Sequence, residues 1–264
     1  MIENMNNNKL YNLIHKIMNQ LLGEILNSIK TTVLDNSVGV AFSGGVDSTL
    51  IAKLLHDNGY DIHLLTIGFP DSHDINFAKE VNEILKFKHD ILEIDLDSFQ
   101  EVSEQVNDII KTDNLSWNEN SIAFYYVSKL AKKLGISTVV TANGIDELFC
   151  GYNAYREAIG IGVDEVMNVM NQKLDNEKKM MIAVNNVTSL FDVKILQPLL
   201  HEDFISYAKT IPISEKIIDS NDLQRKHAIR KLAASCGVPE ISAYKQKKAL
   251  QYGSKIHKQL LKLR

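Results

Sequence analysis

Cysteine is nearly absent from this sequence. Cys150 and Cys236 are the only two, they lie far apart, and neither belongs to a CxxC pair or to a Cys/His cluster at zinc spacing. That excludes a disulfide framework and a structural zinc site, and it points to a reducing cytoplasm as the place of residence. Long apolar runs are also lacking. No stretch approaches the roughly 18–20 residues that span a bilayer, and the first eight residues have neither the basic end nor the apolar centre of a signal peptide, so no membrane partner is expected. Basic residues are not in excess: 29 Lys and Arg against 33 Asp and Glu leave a net charge of −4, which argues against nucleic-acid affinity driven by overall charge. Proline numbers only four, and no linker, repeat or low-complexity stretch divides the chain, which reads as one domain over residues 1–264.

What is present is periodicity. Leu10, Leu13, Ile14, Ile17, Leu21, Leu22, Ile25 and Ile29 fall on one helical face, predicting a leading amphipathic helix within residues 1–36. Residues 38–42 and 62–67 are short apolar runs of the kind buried on both faces of a parallel sheet, and 90–94 and 137–141 read as further extended segments. Helical patterns separate them at 48–56, 77–85, 99–110 and 122–134. Strands alternating with helices predict an α/β fold, a parallel sheet covered by helices on both faces, over residues 37–155. Ligands bind such sheets at the carboxyl ends of the strands. Residues 156–264 read as a mainly helical half, with helices at 163–174, 177–190 and 223–234. From Ile241 to Arg264 there are seven basic residues and no acidic one, which reads chiefly as a solvated helix face with a few members free to bind an anion.

Ser43-Gly44-Gly45-Val46-Asp47-Ser48 joins the first apolar strand to the next helix. Adjacent glycines allow the backbone to approach a ligand closely and to turn successive N–H groups toward one anion, and the helix N-terminus adds partial positive charge. A carboxylate in such a cradle makes electrostatic sense when a cation such as Mg²⁺ intervenes, which makes Asp47 informative. In a bare turn Asp47 and Ser48 would serve only as helix caps. The hexapeptide SGGVDS resembles the pyrophosphate loop of the N-type ATP pyrophosphatases, a superfamily that adenylates an acceptor and releases pyrophosphate. The resemblance implies ATP and Mg²⁺ as cofactors, with Ser43, Gly44, Gly45, Val46, Asp47 and Ser48 around the phosphates and Ile67 among the nucleotide-binding residues.

A second segment, Thr141-Ala142-Asn143-Gly144-Ile145-Asp146-Glu147-Leu148-Phe149-Cys150-Gly151-Tyr152, resembles the asparagine synthetase motif SGEGxDELFGGY. Residues 197–201 look like a weakened VPFLD segment, and Tyr244-Lys245-Gln246-Lys247 resembles the segment whose lysine contacts the leaving phosphates. This similarity to the synthetase half of asparagine synthetases runs along nearly the whole chain. It implies an adenine nucleotide alpha-hydrolase-like fold, Thr141, Ala142 and Gly144 near the nucleotide, Asp47, Asp146 and Glu147 as metal ligands, and Asp47, Asp146, Lys247 and Asn143 as the catalytic set.

Departures from the motif concern the acceptor. Met1 is followed by Ile2, not by the glutaminase's catalytic cysteine, so a stand-alone synthetase half is expected, taking nitrogen from ammonia or from a separate glutaminase subunit. Asn143 replaces the family's proton-accepting glutamate, and an amide cannot act as a base; Glu119 is a substitute base to consider. His201 stands where an aspartate is expected, Ala142 and Cys150 where glycines are. The reading is an ATP-dependent ligase that adenylates a carboxylate, aspartate being one acceptor to test. A tRNA-modifying pyrophosphatase and a non-catalytic nucleotide-binding subunit remain open alternatives, as does a homodimer.

Overall fold

The computed structural model describes residues 2–245 and 250–263. The chain opens with α1 (Ile2–Thr32), followed by β1 (Ser37–Ala41), α2 (Val46–Asp57), β2 (Asp61–Gly68), α3 (His73–Leu85), β3 (Lys88–Glu93), α4 (Leu96–Ile110), α5 (Leu115–Lys133) and β4 (Thr138–Val140). Next come α6 (Ile145–Leu148), α7 (Ala154–Ile161), α8 (Val163–Thr188), β5 (Lys194–Leu196), α9 (Glu202–Thr210), α10 (His227–Ser235), α11 (Glu240–Ala243), α12 (Leu250–Gly253) and α13 (Ile256–Leu263).

All five strands pair in parallel, in the order β3-β2-β1-β4-β5. Neighbouring residues of one strand enter different cores: Leu64 packs with Leu21, Ile25, Leu50 and Ile51 on one face, while Leu65 and Ile67 pack with Phe99, Val127 and Ile195 on the other. This alternation is why the central strands β1 and β4 are buried on both faces and lack the in-out pattern of a half-exposed sheet, while the edge strand β3 carries Lys88, His89, Asp90 and Glu93. The α/β class expected from the sequence is therefore the observed one. Among the described residues no helix is long and apolar enough to cross a membrane.

Three differences bear on the site. β5, which extends the β4 edge, falls in the half expected to be helical; at three residues it is too short to show a period. The helices expected at 163–174 and 177–190 are one helix, α8, whose buried positions continue through Leu174, Glu177, Met180 and Met181. The helix expected from 223 begins only at His227. Asp222 accepts the backbone N–H groups of Gln224 and Arg225, and its carboxylate also meets His227, so the chain is held in a turn up to Lys226.

The strand order reverses between β1 and β4: after β1 the chain crosses to β2 on one side, whereas β4 lies on the other. The loops leaving the carboxyl ends of β1 and β4 thus diverge and open a crevice, where such sheets bind ligands.

Candidate active site

The crevice is a cavity of about 280 Å³. Of the residues expected there, Ser43, Gly45, Val46, Asp47, Ser48, Ile67, Thr141, Ala142, Asn143, Asp146 and Glu147 line it. Gly44 and Gly144 shape the backbone behind this lining. Lys247 lies outside the described residues.

The loop after β1 is wound around two hydroxyls. Ser48 Oγ donates to Gly45 O at 3.2 Å and accepts from the Ser43 N–H at 3.3 Å, while Gly45 N–H donates to Ser43 Oγ at 3.4 Å. Gly44 has φ of +75°, and a Cβ there would sit 3.0 Å from the Phe77 carbonyl oxygen and 3.2 Å from Ala78 Cα, so α3 packs directly on the loop's backbone. Asp47 does not act as a cap. The N-cap of α2 is Gly45, without a side-chain bond, and the Asp47 carboxylate reaches sideways instead.

Its partner is Lys226. Lys226 Nζ lies 2.6 Å from Asp47 Oδ2 and 3.1 Å from Asp146 Oδ1, so one ammonium ties the loop after β1 to the loop after β4. The lysine is 2% exposed and its backbone has φ of +53°, an uncommon conformation for a side-chain-bearing residue. The turn is clamped by Arg230, whose Nε donates to the Gln224 and Arg225 carbonyls and whose Nη1 donates to Ala243 O at 2.6 Å. Burial pulls the Lys226 ammonium's pKa down, against Asp47, which holds it up. Two polar atoms beside this centre are buried without a hydrogen-bond partner among the described residues: Asp47 Oδ1 and Arg230 Nη2. An orphaned carboxylate oxygen suits a cation and an orphaned guanidinium nitrogen suits an anion.

Asp146 owes its place to Gly151. A Cβ at residue 151 would lie 1.8 Å from Asp146 Oδ1, so only glycine leaves room for that carboxylate. Neighbouring Cys150 takes φ of +61° and is fully buried; it occupies a left-handed position for which glycine is the default.

Glu147, expected beside Asp146 at the metal, is turned inward. Its Oε2 accepts the Gly144 N–H at 3.0 Å and its Oε1 accepts the Tyr152 hydroxyl, so each carboxylate oxygen carries a hydrogen bond at the helix end. Burial, reinforced by the Glu177 carboxyl, raises the Glu147 pKa well above the carboxylate range. Asn143 Nδ2 donates to Glu177 Oε1 at 2.5 Å, bringing α8 to the cleft. Glu119 is elsewhere: it is buried and faces His257 Nδ1 at 2.5 Å, outside the cleft lining. His201 is the N-cap of α9, its Nδ1 accepting the Asp203 N–H at 3.4 Å. Sequence reasoning missed Lys226, Arg230 and Glu177. A single lysine, arginine or glutamate carries no local signal.

The asparagine synthase family matches residues 22–181, well over half of the chain. A provisionally assigned glutamine-hydrolyzing asparagine synthetase of Methanocaldococcus jannaschii is 28% identical over 262 residues, covering 86% of this chain and 48% of that protein. Glutamine-hydrolyzing asparagine synthetases of Arabidopsis thaliana and Oryza sativa subsp. japonica are each 27% identical, covering 72% and 75% of this chain but 34% and 35% of their own lengths. The chain thus spans a third to a half of the relatives it matches. Among solved structures, NMN synthetase from Francisella tularensis superposes with a TM-score of 0.48 at 15% identity, covering 90% of this chain and 77% of that one. With the two motifs placed on either side of one crevice and a family match that takes in β1 to β4, the chain belongs to the asparagine synthase family.

Proposed function

We propose that this chain is an ATP-dependent carbon–nitrogen ligase that adenylates a carboxylate, releases pyrophosphate, and passes the acyl group to nitrogen from ammonia or from a separate glutaminase. The observation that carries this reading is the Asp47–Lys226–Asp146 bridge across the mouth of a glycine-built anion loop, with Arg230 Nη2 left over as a buried donor. In-line displacement at phosphorus needs positioning and charge neutralisation more than covalent chemistry from the protein. The backbone N–H groups after β1 and the α2 N-terminus would hold the leaving phosphates, and Lys226 and Arg230 would supply fixed positive charge.

Magnesium fits this centre. Among the described residues no group of three or more His, Cys, Asp or Glu could hold a metal unaided. Asp47, through its unpaired Oδ1, and Asp146 would hold the ion together with phosphate oxygens and water, the usual mode for Mg²⁺. The ion would neutralise charge on the phosphates. Glu147 would support the centre by holding the Gly144 turn. Aspartate is the first acceptor to try, and Lys247 remains a proposed phosphate ligand.

ATP–pyrophosphate exchange tests the reading. With the right acid the protein should exchange label, and Asp47→Asn should lose exchange while still folding, at a stability cost of about 1–3 kcal/mol that comes from the weakened Lys226 pair and not from a cap bond, which Asp47 does not make. ATP binding by calorimetry with no exchange for any acid, even with a candidate partner added, would instead mark a nucleotide-binding subunit. Salt-sensitive tRNA binding, with exchange stimulated by tRNA, would move the acceptor to a nucleic acid.

A further inference from the structure

Arg225 leads directly into Lys226, yet its side chain is not part of the cleft lining. The residue is 7% exposed, and its guanidinium makes one hydrogen bond among the described residues, from Nη1 to the neutral Asn153 Oδ1. Its Nε is buried without a partner. Asp222 acts on this charge from a distance, because its two oxygens are taken by the backbone N–H groups of Ile218, Gln224 and Arg225 and by His227 Nε2. The neighbouring Cys150 thiol is pushed up to about 12 by burial and stays neutral. Arg156 adds a second cation where a counter-charge is needed. It sits in the first turn of α7, three residues after Asn153 on the same helical face, and its Nε donates to Ser220 O at 2.9 Å. Burial, and the Arg156 charge after it, pull the Arg225 pKa down. Neither guanidinium has a carboxylate partner among the described residues, and a buried charge left uncompensated is costly.

We propose that Arg156 and Arg225 form an oxyanion site separate from the cleft, and that its ligand is inorganic phosphate. The donors left over are Arg225 Nη2, the two terminal nitrogens of Arg156 and the Asn153 amide nitrogen, none of which has an acceptor among the described residues. A guanidinium fork offers paired N–H groups in one plane, which match two oxygens of a tetrahedral anion. Phosphate supplies enough oxygens for both forks and a second negative charge, whereas a carboxylate satisfies one fork and one charge. The anion would lie between the start of α7 and the segment 218–225. Both neighbours lead to the nucleotide centre: Asn153 follows Gly151, which gives Asp146 its room, and Arg225 precedes the lysine that Asp146 holds. Bound phosphate would therefore brace the Asp146–Lys226 contact from outside the cleft, whatever acceptor the cleft takes.

Calorimetric titration of the full-length chain with inorganic phosphate tests the site, with sodium chloride holding the ionic strength constant. Arg156 is half-buried, so Arg156→Gln removes one fork with little disturbance of the core, and its melting temperature without phosphate reports the fold. Any phosphate taken up by the loop after β1 is common to wild type and variant, so the difference between them isolates the arginine site. Arg156→Gln should weaken that binding at least about 10-fold, and Arg156→Lys, which keeps the charge and loses the fork, should bind at intermediate strength. Arg225→Gln should lose the site as well; where it fails to fold, Arg156→Gln still decides. Phosphate should also raise the melting temperature of wild type more than that of Arg156→Gln, while acetate at the same ionic strength raises neither. Absence of phosphate binding to the wild type, equal phosphate affinity in wild type and Arg156→Gln, or acetate bound as tightly as phosphate overturns the proposal.

Discussion

Replacing Lys226 by methionine keeps the length of the buried stem and deletes only the ammonium. In the folded protein that ammonium is 2.6 Å from one carboxylate and 3.1 Å from another. At an effective dielectric near 20 such separations correspond to roughly 5–6 kcal/mol each, before the desolvation of a lysine that is almost wholly buried is set against them. Removing one partner of a buried ion pair typically costs about 3–5 kcal/mol, because the charge left behind is unpaired. Asp47 and Asp146 are 19% and 20% exposed, so water relieves part of that cost and about 1–3 kcal/mol is expected at neutral pH. Denaturant titration reads this directly, with Lys258→Met on the exposed face of α13 as a control expected to stay within about 0.5 kcal/mol. Magnesium chloride should raise the melting temperature of Lys226→Met more than that of wild type, since the variant leaves two carboxylates facing each other without their cation. Pyrophosphate exchange should fall at least about 10-fold. Unchanged stability together with unchanged exchange would refute the idea that this lysine organises the centre.

Gly151→Ala should lower pyrophosphate exchange at least about 10-fold and cost about 1–3 kcal/mol, because the added methyl claims the volume of the Asp146 carboxylate. Wild-type exchange in that variant would show that Asp146 is free to move. Lys216, fully buried with Nζ donating to Ala208 O at 2.7 Å, has its pKa pulled down by burial from 10.5 to about 8. Above about pH 8 the unfolded chain therefore binds more protons than the folded one, so this lysine adds stability as pH rises from about 8 toward 10.5, in total about 2–4 kcal/mol. The difference in unfolding free energy between wild type and Lys216→Met should shift by that amount over this window; a difference independent of pH would mean that the buried amine keeps its ordinary affinity for protons.

The sequence by itself determined four of the five strands, the loop and the neighbourhood of the chemistry. β1 and β2 are legible because both faces of the sheet are covered, which makes most of their central residues apolar, with His63 and Thr66 as polar exceptions in β2. The SGGVDS turn is legible because its function is local: two hydroxyls and two glycines within six residues wind the backbone themselves. Asp47 and Asp146 could be placed at strand ends for the same reason. What each carboxylate does there was not local. Adjacent residues of one short helix part ways, Asp146 meeting Lys226 and Glu147 turning in to Gly144 and Tyr152, and that choice depends on the space left at Gly151. Lys226 is 179 residues from Asp47 and Glu177 is 34 from Asn143. No periodicity or propensity encodes such a pairing; it exists only once α8 has packed beside the sheet and the Asp222 turn has delivered its lysine to the crevice. Tertiary structure alone decided which charges meet, because an ion pair or a shared proton depends on distances of a few ångströms that chain separation does not specify.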